Sequence, residues 1–135
     1  MNKFKALSII VLLAAGPALA QTAAPQRLTP ADSTPGKTTA TVDLGAEFAQ
    51  MKGFTLNQSV ATVAPGTGRA MHSHAGAPEI VRILSGVLTD SRNGGPPTAY
   101  GPGSTLINAQ GTQHMWANLG TEPVVFVATS IRAVK

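Results

Sequence analysis

Three histidines occur in this chain of 135 residues, and their spacing suggests chemistry before it suggests a fold. His72 and His74 stand two residues apart, Glu79 follows five residues after His74, and His114 comes 40 residues after His74. Residues i and i+2 of a strand point to the same face, so the first two imidazoles can act together. Imidazole nitrogens with a carboxylate oxygen suit a divalent transition ion. A solitary His-x-His pair is more often solvent-facing or hydrogen-bonded. Here every histidine and one of only three glutamates share the pattern, which favours a metal site built from His72, His74, Glu79 and His114. Other candidates are weaker. Trp116 shares parity with His114 and is either core or pocket wall. Arg69 is expected at the mouth of the site as an anion binder, and Tyr100 as an acid/base group beside a turn. Asn118 is expected to hold a turn. Arg82 has the opposite parity to Glu79 and should face solvent or a second copy of the chain.

Short strands separated by turns must carry these residues. Phe54, Leu56 and Val60 share a parity that suits a half-buried strand ending at Pro65-Gly66. Arg69–His74 reads as extended, and Ala75–Pro78 as a loop. Glu79–Ser91 is rich in Ile, Val and Leu and is interrupted at Ser85-Gly86. Asn93–Pro97 and Gly101–Gly103 are turn signals. Ser104–Asn108, Gln113–Asn118 and the β-branched run Pro123–Ile131 complete the series. No segment after residue 52 has a helical pattern, which predicts an all-β sandwich or barrel. Residues 42–51 read equally as a helical turn or an edge strand.

The N-terminus has a separate character. Lys3 and Lys5 precede an apolar run, Ala6–Ala15, and Ala18-Leu19-Ala20 is a small-residue cleavage site. That is the layout of a secretory signal peptide over residues 1–20, cut after Ala20. The apolar run is short for a membrane span, so no anchor is expected after cleavage. With no cysteine there is no lipid-anchor site, and with no twin arginine, export as an unfolded chain is expected. The protein is therefore expected in the periplasm or outside the cell. Residues 21–41, rich in Ala, Thr and Pro, read as a flexible leader, and residues 42–135 as one domain. Removing Lys3 and Lys5 leaves eight basic against six acidic residues. No basic cluster remains, which argues against nucleic acid as a partner.

Two spaced motifs resemble the signatures of the cupin superfamily. The first runs Gly66, five residues, His72-Ser73-His74, four residues, Glu79, six residues, Gly86. The second runs Gly103, seven residues, Gly111, two residues, His114, three residues, Asn118. Ala109 stands where the family usually has proline. The sixteen residues between Gly86 and Gly103 make this similar to a minimal single-domain cupin, with the resemblance covering residues 54–131. The resemblance implies a small jelly-roll β-barrel holding one divalent transition metal on His72, His74, Glu79 and His114. Cu, Zn, Fe, Mn and Ni all remain open as its identity. It further implies a small-molecule ligand and a homodimer, with exposed Ile80 and Leu84 as interface candidates. Three activities follow as expectations. One is a small quercetin-dioxygenase-like oxidoreductase acting on an enol, phenol or carboxylate, with Glu79 doubling as catalytic base. A second is a non-redox lyase or isomerase, and a third a periplasmic small-ligand or metal-binding module without turnover. Fold alone does not choose among them.

Overall fold

The computed structural model describes residues 31–134. The signal-peptide expectation over residues 1–20 lies outside these residues, as does the leader up to residue 30. Ten strands follow in chain order: β1 (Ala31–Asp32), β2 (Lys37–Asp43), β3 (Phe54–Val63), β4 (Thr67–Ser73), β5 (Glu79–Ser85), β6 (Leu88–Arg92), β7 (Thr98–Tyr100), β8 (Thr105–Asn108), β9 (Gln113–Ala117) and β10 (Val124–Ala133). Between β2 and β3 lie a single helical turn, α1 (Leu44–Glu47), and a 3₁₀ turn (Ala49–Met51). The strands form two five-stranded sheets, ordered β1-β4-β9-β6-β7 and β2-β3-β10-β5-β8. Neither closes on itself, and every pairing is antiparallel except β1 with β4. The all-β jelly-roll architecture expected from the sequence is present.

The core lies between the sheets. Alternation places Val81 and Ile83 of β5, Leu88 of β6, Leu106 of β8 and Val124, Phe126 and Ala128 of β10 on the inner faces. Fully burying such a side chain contributes about 1.5–3 kcal/mol, and Ile83, Val63 and Val124 are completely enclosed. The outward residues of β5 behave as their parity requires: Ile80, Arg82 and Leu84 are exposed.

Two expectations are corrected. Residues 37–41, read as part of a flexible leader, lie in β2, which pairs with β3 from Lys37 opposite Val60 to Asp43 opposite Thr55. Every residue of β2 is exposed. An edge strand needs only a ladder to bind, and the Thr and Val residues of β2 favour extended backbone. In β3 the apolar parity of Phe54, Leu56 and Val60 is not the inner one. Thr55, Asn57, Ser59 and Ala61 face the interior cavity instead. The alternation rule failed because that part of the interior is a polar-walled cavity rather than packed core. The ambiguous residues 42–51 resolve into both alternatives. β2 ends at Asp43, whose side chain accepts a hydrogen bond from the Gly45 N–H and caps α1.

Candidate metal centre

A cavity of about 590 Å³ opens between the sheets, and the three imidazoles lie on its wall. β4 carries His72, and His74 follows one residue beyond its end; β9 carries His114, directly opposite His72. One ring nitrogen from each histidine can be chosen so that all lie within 4.8 Å of one another. His74 and His114 are buried and His72 half-buried.

The hydrogen bonds fix how the rings are turned. Nδ1 of His72 lies 2.9 Å from the Ala70 carbonyl, and Nδ1 of His74 lies 3.0 Å from the Ala77 carbonyl. Nδ1 of His114 lies 2.6 Å from Asp90 Oδ1. Carbonyl and carboxylate oxygens only accept, so each Nδ1 donates and each Nε2 is left for another partner. Yet Nε2 of His74 and Nε2 of His114 face each other at 2.9 Å. Two lone pairs repel at that distance, and so do two N–H groups. A cation between them, or a single shared proton, relieves the contact. Two nitrogens each about 2.1 Å from one ion and roughly at right angles stand about 3 Å apart. The donor set therefore fits a divalent metal ion. Burial, then the neighbouring charges of His114, Arg69 and His74, hold the His72 imidazole below its ordinary value, although its bond to Ala70 opposes this. That favours the deprotonated form a metal requires.

Glu79 enters from the opposite sheet, as the first residue of β5. Its Oε2 lies 3.9 Å from His74 Nε2 and accepts a hydrogen bond from Asn108 Nδ2 at 3.2 Å. Its Oε1 lies 3.9 Å from Arg132 Nη2. The three imidazoles thus form one group, and Glu79 stands at its side, within reach of the same space.

Behind these groups runs a hydrogen-bonded chain that the sequence reading did not single out. Asp90 of β6 is buried and bonds His114 through Oδ1 and Arg92 Nε through Oδ2, both at 2.6 Å. Arg92 also donates to the Ile107 carbonyl and to Asn108 Oδ1, and Asn108 donates from Nδ2 to Glu79 Oε2. Burial pushes the Asp90 carboxyl up, but the bonds from His114 and Arg92 outweigh it and hold the group below the usual carboxylate range. Asp90 is accordingly ionised, which fixes the tautomer and orientation of His114. One signal was available: Asp90 shares the inward parity of Leu88, and an acid at a core position needs a partner.

The lesser candidates separate clearly. Trp116 does both things considered for it, lining the cavity and packing edge-on against Phe126 at 5.7 Å between ring centroids. Asn118 is fully buried and holds a turn, donating to the carbonyls of Val63 and Glu122 and accepting from Gly120 N–H. Arg82 is exposed and donates to Thr105. Tyr100 packs against the core near Arg92 and is not among the residues lining the cavity. Arg69 lines the cavity beside His72.

Comparison with known proteins agrees with this architecture. The family model described as "Cupin domain" matches residues 59–130. Germin-like protein 1 of Brassica napus is 31% identical over 106 residues, covering 71% of this chain and 51% of its own. Germin-like protein subfamily 3 member 1 of Arabidopsis thaliana is 29% identical with the same coverage. The chain thus spans about half the length of the curated relatives it matches. Among solved structures, a Klebsiella pneumoniae protein with a double-stranded β-helix domain superposes with a TM-score of 0.59 at 18% identity, covering 81% of this chain and 90% of that one. The cupin domain of Schizosaccharomyces pombe Cnp3 gives a TM-score of 0.53 at 18% identity, covering 59% of this chain and 56% of that one.

Proposed function

Because this chain belongs to the cupin family, we propose that it is an exported metal-dependent oxidoreductase of the dioxygenase type, acting on a small enol, phenol or carboxylate. The observation that carries the reading is the approach of His74 Nε2 and His114 Nε2 to 2.9 Å, with all three Nδ1 atoms already engaged. His72, His74 and His114 would hold the ion, with a carboxylate oxygen of Glu79 as the fourth ligand. A bound Cu, Fe, Mn or Ni would supply Lewis acidity and a route for electrons from substrate to dioxygen.

The remaining chemistry falls to the chain's own residues. The wall formed by Val81, Leu106 and Phe126 excludes water from one side of the cavity and offers an apolar surface to the substrate's body. Glu79, oriented by Asn108, accepts the substrate hydroxyl's proton at a carboxylate oxygen and later returns it to the product. Both atoms of dioxygen end in the product, and the substrate supplies the electrons. Asp90 keeps His114 in place throughout by holding its Nδ1 proton. The same reading places the mature chain in the periplasm after cleavage behind Ala20, as a homodimer joined through the outer face of β5.

The test is the metal content, by element, of protein recovered from the periplasm, set beside a His72→Ala variant and followed by oxygen uptake with small enols and phenols. About one redox-active ion per chain, lost in the variant, together with oxygen consumption, is the expected result. Stoichiometric zinc without oxygen uptake would instead indicate a lyase, an isomerase or a binding module. Absence of any metal would remove the reading altogether.

A further inference from the structure

Two cross-strand pairs meet behind the imidazoles, one from each sheet. In one sheet Arg92 of β6 lies directly opposite His114 of β9, and in the other Glu79 of β5 lies directly opposite Asn108 of β8. Asp90, two residues before Arg92, shares its face and reaches His114 diagonally. The other neighbour of β9 is less regular. The register of β4 against β9 shifts between Arg69 and His72, which is a β-bulge. Bulges disrupt the ladder locally, so β6 is the steadier support of His114.

Arg92 joins the two pairs. Its Nε donates to Asp90 Oδ2 at 2.6 Å, its Nη1 to the Ile107 carbonyl at 3.1 Å and its Nη2 to Asn108 Oδ1 at 3.2 Å. Among the described residues it is the only strand side chain whose hydrogen bonds reach from one sheet to the other. Its Cζ lies over the Tyr100 ring, 6.0 Å from the centroid, at the limit of a cation–π contact. The orientation of Asn108 is forced by what stands on either side of it. Its Oδ1 accepts from the guanidinium and its Nδ2 donates to the Glu79 carboxylate. A reversed amide would set NH₂ against the cation and oxygen against the anion. Displacing Arg92 therefore frees Asn108 to turn, and Glu79 loses its donor. The same displacement takes from Asp90 the partner that shares its charge with His114.

We propose that Arg92 is a positioning residue that couples His114 to Glu79, so that groups contributed by opposite sheets are set as one unit. A lysine could not replace it. An ammonium is a compact point charge, whereas the planar guanidinium holds three acceptors at fixed angles. That the coupled groups are ligands rests on the metal reading above. The coupling itself rests on the hydrogen bonds alone and should be present with the metal removed.

Two measurements on the same variants separate these parts. In the first, cobalt(II) affinity is read by competition with a chelator. Asp90→Asn and Asn108→Ala should each weaken binding by about tenfold. Independent losses would multiply to about a hundredfold, whereas losses that pass through Arg92 should leave the double variant within about threefold of either single. In an Arg92→Lys background the two losses should multiply. In the second, the His114 Nδ1 proton is observed by nuclear magnetic resonance in isotope-labelled, metal-free protein. Asn108→Ala, whose lost hydrogen bonds reach neither His114 nor Asp90, should shift that resonance, and Arg92→Lys should abolish the response. Arg82→Gln, which removes an arginine from the outer face, should change neither reading. Where Asn108→Ala does not fold, Asn108→Ser serves the same arms, since its side chain is too short to join both partners. Multiplying losses with Arg92 present, or a His114 resonance that ignores Asn108, would overturn the proposal. Protein that binds no metal but keeps the Arg92-dependent resonance shift would refute the metal reading and leave the coupling standing.

Discussion

The imidazole triad was legible in the sequence because ligand chemistry restricts residue type and strand periodicity restricts spacing. His72 and His74 announce themselves, and the lone remaining histidine completes the set. Asp90 carries only its inward parity with Leu88, and Arg92 and Asn108 carry no such mark. They lie in stretches whose composition is ordinary for a strand, and their importance comes from partners 16 to 29 residues away. Removing the negative charge from Asp90 tests whether that chain matters. Asp90→Asn keeps the size and one acceptor but lets the amide turn its NH₂ towards His114. Outer partners of ligating histidines typically contribute 10–100-fold in affinity. The variant is therefore expected to bind its metal roughly tenfold more weakly, as read by competition with a chromogenic chelator, with its strand circular dichroism intact. Unchanged affinity would reduce Asp90 to a packing role.

Among the elements, legibility depended on how each strand meets its surroundings. β5, β8 and β10 were readable because their inner faces carry apolar residues such as Val81, Leu106 and Phe126, so alternation reports burial. β3 misled because its inner face borders the cavity with Thr55, Asn57 and Ser59. β2 misled because it pairs without burying anything. The bulge in β4 left no trace in composition at all, since Ala70 and Met71 are unremarkable strand residues. Turn glycines were the most readable, but they are not equivalent. Gly66 and Gly86 both have positive φ, 74° and 73°, yet a Cβ at Gly66 meets open space. At Gly86 it would lie 2.6 Å from the Pro123 carbonyl oxygen and 2.8 Å from Val124 Cα. Gly66→Ala should cost only the backbone strain, about 1 kcal/mol. Gly86→Ala adds the clash between the β5–β6 turn and the start of β10. Its thermal midpoint should fall further, by roughly 10 °C in a domain of this size. Equal effects of the two substitutions would show that the turn moves away freely.

For the molecule as a whole, the sequence conveyed the architecture and two exposed apolar residues of the outer face. Ile80 and Leu84 were expected to be exposed, and they are 53% and 51% exposed; Ile107, paired with Ile80 across β5 and β8, is 65% exposed. A face of this kind suits association with a second copy, as proposed above. Ile80→Glu should then convert a dimer to a monomer in sedimentation equilibrium, without loss of bound metal. A wild-type protein that sediments as a monomer at micromolar concentration would remove the dimer.

The position of β10 in its sheet has a consequence in time. It is the last strand in chain order among the described residues, yet it lies in the middle of its sheet, between β3 and β5. Until a ribosome has finished it, the strands on either side have no common neighbour and the sheet exists only as two separate pairs. Long-range pairing of this kind is slow to form. The cavity, whose far wall includes Ala128, Ser130 and Arg132, cannot be completed before β10 is made. Maturation of the site must follow the making of β10, so the ion it acquires is decided by whichever compartment holds the protein at that moment.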